Sequence, residues 1–381
     1  MKITIVADVL GQENNGTTVT IKRLIEGLKA RGHEVRVISP TKSDDPNYYT
    51  VEKKSFGIFN GYMDKNGVEL AKPDMKLLHE AIEGADVVHI VLPFAMGKKA
   101  VKVCNELDIP FTAAFHCQPE NISSHIYMKD VKLVNDLIYK IMRHNFYKNV
   151  KYIHCPTEFI KSELERNHYK AKKYAISNGV IPSFARMEGV EKPEEFKDKF
   201  CILTTARFSK EKRHDVLVKA IKYSKYADKI QLIFAGNGPL KEKVIKLAKK
   251  EKINPPYINY FTKEELAKTI NYCDLYVHPS DIEIEAIGCL EAFTCGLVPV
   301  ISNSNRSATR FFALTDNNLF KRADPKDLAK KIDYWIEHPE EKAELGKEYM
   351  EYAKKFNIDS CIDAMVGMFN DAINEHKHNK K

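Results

Sequence analysis

The sequence predicts an α/β protein built from two doubly wound halves. Short β-branched runs alternate with helical stretches along nearly all of the 381 residues. Those runs are near-continuous in Val, Ile and Leu, the pattern of parallel strands buried on both faces. A segment rich in Pro, Gly and charge, GVIPSFARMEGVEKPEEFKDK (179–199), separates two such series and reads as a linker. The length also exceeds what one hydrophobic core usually serves.

Taken in order, KITIVAD (2–8) is the first strand, TVTIKRLIEGLKARG (18–32) its helix and EVRVISP (34–40) the second strand. DVVHIVL (86–92), PFTAAFH (110–116), KYIHCP (151–156) and KYAIS (173–177) complete the first series. The second comprises KFCILTTA (199–206), IQLIFAG (230–236), INYF (258–261), DLYVHPS (274–280) and LVPVISN (297–303). The chain from Pro339 onward reads as helical, with its last few residues disordered. Ligands in open parallel sheets bind at the carboxyl ends of the strands, so facing loops of the two halves should line a central cleft.

Composition excludes more than it names. An apolar fraction of 44% and a charged fraction of 29% are those of an ordinary globular protein. The balance of 60 Lys+Arg against 52 Asp+Glu gives +8, which suits an anionic partner without identifying one. The eight cysteines form no CxxC and no zinc-type spacing, so they read as reduced core residues. The opening MKITIVADVLG lacks the features of a signal peptide, and no apolar run approaches the ~18 residues of a membrane span. The expectation is a cytoplasmic protein, or one lying on the inner face of a membrane.

Three loops could carry chemistry. In TTARFSKEKRHD (204–215) a strand ends at Ala206, and Arg207 and Lys212 bracket a short loop before a helix. Two cations and a helix N-terminus suit a diphosphate, although a solvated basic turn would look the same. FAGNGPLKEKV (234–244) turns from strand to helix through Gly236 and Gly238, but a lone G-x-G-P also fits an ordinary tight turn. PSDIEIEAIGCLEAFTCG (279–296) sets Asp281, Glu283 and Glu285 in a strand-end loop, with a helix starting near Ala286 or Ile287. Glu291 follows in that helix, so Glu283 and Glu291 could grip the hydroxyls of one sugar-bearing ligand. The alternative is that Ser280 or Asp281 caps the helix and the glutamates complement its dipole.

The order and spacing of GLKARGHEVRVISP (27–40), CPTEFIKSEL (155–164) with ISNGV (176–180), ARFSKEK (206–212), AGNGPLKEKV (235–244) and the Glu-seven residues-Glu pair leading into EAFTCGLVPVIS (291–302) resemble the family 4 retaining glycosyltransferases of GT-B fold. That resemblance implies two Rossmann-like domains: an acceptor-side domain over 1–180, rejoined by a helix at 358–381, and a nucleotide-sugar-binding domain over 181–357. It implies that Arg207 and Lys212 bind the donor diphosphate, that Glu283 contacts the transferred sugar and that Glu291 contacts the ribose. Gly16, Gly236 and Ile287 join that donor-binding set, and His116 is placed beside the reacting sugar, making His116 and Glu283 the catalytic pair. No metal or other cofactor is expected, since cations of the chain would neutralise the leaving diphosphate; the nucleotide sugar, with UDP favoured, is a substrate.

Three positions depart from the family pattern. Ala206 precedes the phosphate arginine where a glycine is usual, Arg213 follows Lys212 where a glycine is common, and EIEAIG supplies Ile284, Glu285 and Ala286 where another glycine is expected. Glu285 would repel a phosphate, so it must point away or meet a cation such as Arg306 or Arg310.

For the acceptor, YMKDVKLVNDLIYKIMRHNFYK (127–148) reads as a helix with Lys129, Lys132, Lys140 and Arg143 in one arc of roughly 80° and Val134, Ile138 and Ile141 opposite. This is either a core-facing helix with a solvated outer face or a surface that docks on anionic lipid. HCQPENISSHIYM (116–128) would then form the acceptor-side loop. The expected acceptor is a membrane lipid such as diacylglycerol or a glycolipid, with no nucleic-acid partner. A soluble or polysaccharide-precursor acceptor, a sugar-nucleotide epimerase of the same fold and a non-catalytic solute-binding protein are the rival readings.

Overall fold

The computed structural model describes residues 1–11, 16–55, 70–125 and 128–380. Contacts divide the chain into two compact units, Met1–Asn178 with Ile358–Lys381, and Gly179–Asn357.

In the first unit, β1 (Lys2–Val6), β2 (Glu34–Ser39), β3 (Tyr48–Thr50), β4 (Val87–Ile90), β5 (Phe111–Ala114), β6 (Tyr152–Cys155) and β7 (Lys172–Ala175) form one sheet in the order β3-β2-β1-β4-β5-β6-β7. Every pairing is parallel, and β4 and β6 are buried along their whole length. The connecting helices are α1 (Gly16–Ala30), α2 (Met75–Ile82), α3 (Ala95–Glu106), α4 (Pro119–His125), α5 (Lys132–Asn145) and α6 (Glu158–Arg166). Their starts follow local chemistry: the side chain of Asp74 accepts from the Leu77 amide at α2, and Thr157 accepts from Ile160 at α6.

The second unit repeats the plan. Strands β8 (Phe200–Thr205), β9 (Ile230–Ala235), β10 (Tyr257–Asn259), β11 (Leu275–His278), β12 (Pro299–Asn303) and β13 (Leu319–Lys321) are ordered β10-β9-β8-β11-β12-β13, again all parallel. Around them lie α7 (His214–Ile221), α8 (Lys241–Glu251), α9 (Lys263–Tyr272), α10 (Ile287–Thr294), α11 (Pro325–Glu337) and α12 (Pro339–Ala353). Thr262 and Glu265 form a reciprocal capping box at α9. Each unit is thus a doubly wound sheet whose order reverses beside its first strand, β1 and β8, the switch point at which such folds bind ligands.

Two sequence expectations are corrected. The segment 179–199 is not a free linker: Val180, Phe184 and Phe196 are buried in the core of the second unit, and Lys192 pairs with Asp274 at 2.6 Å. The final helix, α13 (Ile358–His378), is ordered where a disordered end was expected. It packs back on the first unit, where Gly27 of α1 admits it, since a Cβ there would lie 2.6 Å from Ile362. Arg31 bonds Asp363 and Asp359, Tyr152 bonds Glu375, and Lys172 bonds Asp371. At its far end His376 meets the Asp108 carbonyl at 2.9 Å and Lys380 pairs with the Asp108 carboxylate, which holds the last turn in place.

Candidate active site

The candidate side chains of the second unit gather at the carboxyl ends of β8, β9 and β11. After β8 the chain turns through Ala206 and Arg207, and after β9 through Gly236 and Gly238. The two turns are bonded to each other, Ala206 N–H to the Ala235 carbonyl and Phe208 N–H to the Asn237 carbonyl. A Cβ at Gly236 would stand 2.2 Å from the Ala206 oxygen, and one at Gly238 would stand 2.7 Å from Phe208 backbone atoms. Both glycines also hold φ of +155°. They are therefore demanded by the contact between turns, and this is what G-x-G-P encodes here.

Lys212 and Glu283 are 71 residues apart in sequence and in direct contact, with Lys212 Nζ 2.5 Å from Glu283 Oε1. The same Oε1 lies 3.0 Å from His278 Nε2. Burial pushes the Glu283 carboxyl upward, but the Lys212 ammonium and the His278 hydrogen bond outweigh it and hold the group down at about 2. Burial likewise pulls Lys212 down, and Glu283 and Glu211 more than compensate, so the lysine stays charged. Glu283 is thus a fixed carboxylate whose role is to accept hydrogen bonds. Its backbone is fixed too: the Ala308 amide donates to the Glu283 carbonyl and the Asp281 amide donates to Glu211.

The basic turn is not solvated at Lys212 or Arg213. Arg213 bonds Asp215 at 2.9 Å and Asp281 at 3.2 Å, and Arg322 reaches the other side of Asp281 at 3.0 Å. Asp281 is fully buried, so the two guanidiniums neutralise a charge that would otherwise be costly to bury. This corrects the expectation that Asp281 or Ser280 caps a helix. The residue at the start of α10 is Ala286, which makes no side-chain cap.

The glycine departures have a conformational answer. Arg213 sits at φ +53° and Ala286 at φ +67°, left-handed backbone that glycine adopts most readily. For Arg213 the ion pairs to Asp215 and Asp281 anchor the side chain in that conformation. Arg207 is half-buried, and burial pushes its guanidinium below the usual range, opposed by the nearby Glu211 carboxylate. Ile287 opens α10, Glu291 is buried one turn later and Glu285 is buried in the loop before it.

In the first unit His116 follows β5, half-buried, with its ring edge-on to His154 at 5.3 Å. Burial, and then the neighbouring imidazoles, hold His116 well below the ordinary histidine range, so it is neutral. Sequence reading missed its companions. His154 bonds the Ile176 carbonyl at 2.7 Å and His89 bonds Thr112 at 2.8 Å. Both are also depressed by burial, His154 to about 4 and His89 to about 3. The three line one pocket with Thr20, Asn178 and Met365. Asp8, at the end of β1, was also missed; burial pushes its carboxyl up to about 7 against the Met96 and Gly97 amides. Gly16 begins α1 with open space around it, so the described fold does not itself require glycine there.

The expected basic stripe is corrected. Lys129 lies in a turn before α5 rather than on it. Arg143 is half-buried and committed to the Asn167 carbonyl at 2.7 Å. Lys132 pairs with Asp136, and Lys140 is exposed. The outward face is instead apolar, with Leu133 79%, Leu137 55% and Ile141 48% exposed, while Asn135, Tyr139 and Met142 are buried. Val131, Met128 and Ile122 extend the exposed apolar surface. The proposed acceptor-side loop 116–128 includes residues 126 and 127, which lie outside the described residues. Among the described residues no His, Cys, Asp and Glu cluster has the makings of a metal site, and no helix is long and apolar enough to cross a membrane.

Residues 14–184 match the family described as Glycosyltransferase Family 4, and residues 186–356 match Glycosyl transferases group 1. An alpha-monoglucosyldiacylglycerol synthase of Acholeplasma laidlawii is 24% identical, over 96% of this chain and 96% of its own length. An enzyme of the same name from Streptococcus pneumoniae is 25% identical, over 80% of this chain and 71% of its own. Among solved structures, Anabaena HepE in complex with UDP and glucose superposes with a TM-score of 0.74 at 12% identity, over 97% of this chain and 100% of that one.

Proposed function

The chain belongs to the family 4, group 1 glycosyltransferases, and on that premise we propose that it moves a sugar from a nucleotide-sugar donor, UDP-linked in preference, to a membrane lipid such as diacylglycerol or a glycolipid. The observation that carries the donor half is the Lys212–Glu283 contact at the end of β8 and β11. One half-buried cation and one buried carboxylate stand side by side where a diphosphate and a sugar hydroxyl would meet. As the glycosidic bond breaks, charge accumulates on the departing diphosphate. Arg207 and Lys212 supply the cations that would stabilise it, Lys212 turning from Glu283 to the phosphate. Glu283, ionised throughout, accepts from a sugar hydroxyl, and Glu291 is assigned the ribose. Neutral His116 is assigned to position the transferred sugar, and transfer is expected to retain anomeric configuration by front-side attack.

The acceptor half rests on α5. A row of exposed Leu133, Leu137 and Ile141 beside Lys132 and Lys140 suits a helix that lies in the interface of an anionic bilayer. On this reading the protein lies peripherally on a membrane, and among the described residues no helix is long and apolar enough to span one. The two relatives named alpha-monoglucosyldiacylglycerol synthase are consistent with such an acceptor. Incubation with UDP- and GDP-sugars and vesicles containing diacylglycerol, read by mass spectrometry, tests both halves. Transfer only to a soluble sugar would favour the polysaccharide-precursor reading.

A further inference from the structure

Behind Glu283 runs a line of polar groups, two of them buried, that the donor assignment does not use. His278 closes β11, two residues after Tyr276. Its Nε2 reaches Glu283 at 3.0 Å, and its Nδ1 lies at a long 3.5 Å from the Tyr276 hydroxyl. That hydroxyl in turn lies 2.6 Å from Thr205 Oγ1 at the end of β8. His278 and Tyr276 are almost fully buried and their rings are nearly parallel. Burial drives the Tyr276 phenol well above its ordinary range, so it keeps its proton and remains a donor.

A second observation shows that this line is built into the fold. Gly288 lies within the first turn of α10, and a Cβ there would stand 1.9 Å from Thr205 Oγ1 and 3.1 Å from the Tyr276 hydroxyl. Any side chain at 288 would displace the Thr205–Tyr276 pair. The glycine of AIGCLEA is therefore explained by space for two hydroxyls.

We propose that His278 is the positioning residue for Glu283, and that Thr205 and Tyr276 set its tautomer. Thr205 donates to Tyr276, Tyr276 donates to Nδ1, and Nε2–H donates to Oε1 of Glu283. Lys212 and His278 then divide the work. Lys212 is a flexible ammonium that a donor diphosphate can share. His278 is a rigid imidazole on a strand and keeps the carboxylate aimed while Lys212 turns to the phosphate. Such a residue affects turnover rather than the hold on the nucleotide, which falls to Arg207, Lys212 and Glu291. The proposal rests on the reading of Glu283 as the sugar contact.

The test compares His278→Ala, His278→Gln and Tyr276→Phe for UDP affinity by calorimetry and for nucleoside diphosphate release from UDP-glucose or GDP-mannose. His278→Ala should lower kcat by roughly 10- to 100-fold while leaving the UDP Kd within about 3-fold. Gln presents an N–H near the place of Nε2, so His278→Gln should recover most of the loss, and Tyr276→Phe should fall between. If Ala at 278 prevents folding, His278→Gln and His278→Asn decide, because the shorter Asn amide falls short of Glu283. Turnover of His278→Ala equal to the unmodified protein, or no advantage of Gln over Asn or Ala, overturns the positioning role. An unmodified protein that neither binds UDP nor consumes either donor overturns the donor reading itself, and this inference with it.

Discussion

Replacing Leu133, Leu137 and Ile141 together by serine removes the exposed apolar row of α5 without touching its buried face of Asn135, Tyr139 and Met142. The three exposures of 79%, 55% and 48% amount to roughly two whole side chains presented to solvent. Burying that much apolar surface in a bilayer interface is worth about 3–5 kcal/mol, or roughly two to three and a half orders of magnitude in partitioning. Lys140 adds about 1 kcal/mol against an anionic surface, and Lys132 adds less because Asp136 pairs with it. Stability should hardly move, since surface changes of this kind usually stay within about 0.5 kcal/mol. Sedimentation with vesicles of anionic and zwitterionic lipid measures the effect. The unmodified protein should pellet with anionic vesicles, and the triple variant should remain in the supernatant at lipid concentrations where the former is half bound. Equal pelleting of the two, or no pelleting of either, would refute the assignment of α5 as a docking surface.

Other expectations follow from the site. Lys212→Met leaves the buried Glu283 carboxylate without its cation and should cost about 2–3 kcal/mol in thermal unfolding, with partial recovery in the Lys212→Met/Glu283→Gln double variant. Gly236→Ala forces a Cβ to within 2.2 Å of the Ala206 oxygen at a φ of +155°; it should destabilise the second unit by about 2 kcal/mol or more and weaken UDP binding, both readable in one melting experiment with and without UDP. His89, His116 and His154 are depressed from 6.5 by burial, His154 to about 4. Below pH 6.5 the unfolded chain takes up protons that the folded imidazoles refuse, so stability falls as pH drops toward 4. By pH 5 each contributes a loss of about 2 kcal/mol, and a urea midpoint unchanged between pH 7 and pH 5 would contradict this.

The strand series was legible because parallel strands buried on both faces must be apolar throughout, and KITIVAD or DLYVHPS has no other sensible reading. The edge strands β3 and β13 escaped notice because three residues carry no period. Arg207, Lys212, Glu283 and Glu291 were legible as residues, but not the contact between Lys212 and Glu283, which the pairing of β8 with β11 creates. The histidines His89 and His154 and the His278–Tyr276–Thr205 line were hidden for the same reason, since each depends on neighbouring strands rather than neighbouring residues. The basic stripe was misread because a helical wheel gives angles but not partners. Arg143 turns to a carbonyl and Lys132 to Asp136, and the apolar residues at 133, 137 and 141 are left facing outward. Arg213 and Ala286 looked like losses of glycine, yet both residues adopt left-handed backbone, the conformation glycine takes most readily.

If a sugar passes from a nucleotide to a lipid with Glu283 aiming it, the carboxylate and the lipid must both matter to the product. The most direct measurement incubates the protein and its Glu283→Gln variant with a panel of UDP- and GDP-sugars and diacylglycerol-bearing anionic vesicles, and weighs the lipid products by mass spectrometry. One donor should yield a glycosylated lipid together with equimolar nucleoside diphosphate, with at least a roughly 100-fold loss in the variant. Equal product from Glu283→Gln, or diphosphate release that never yields a glycolipid, would contradict it.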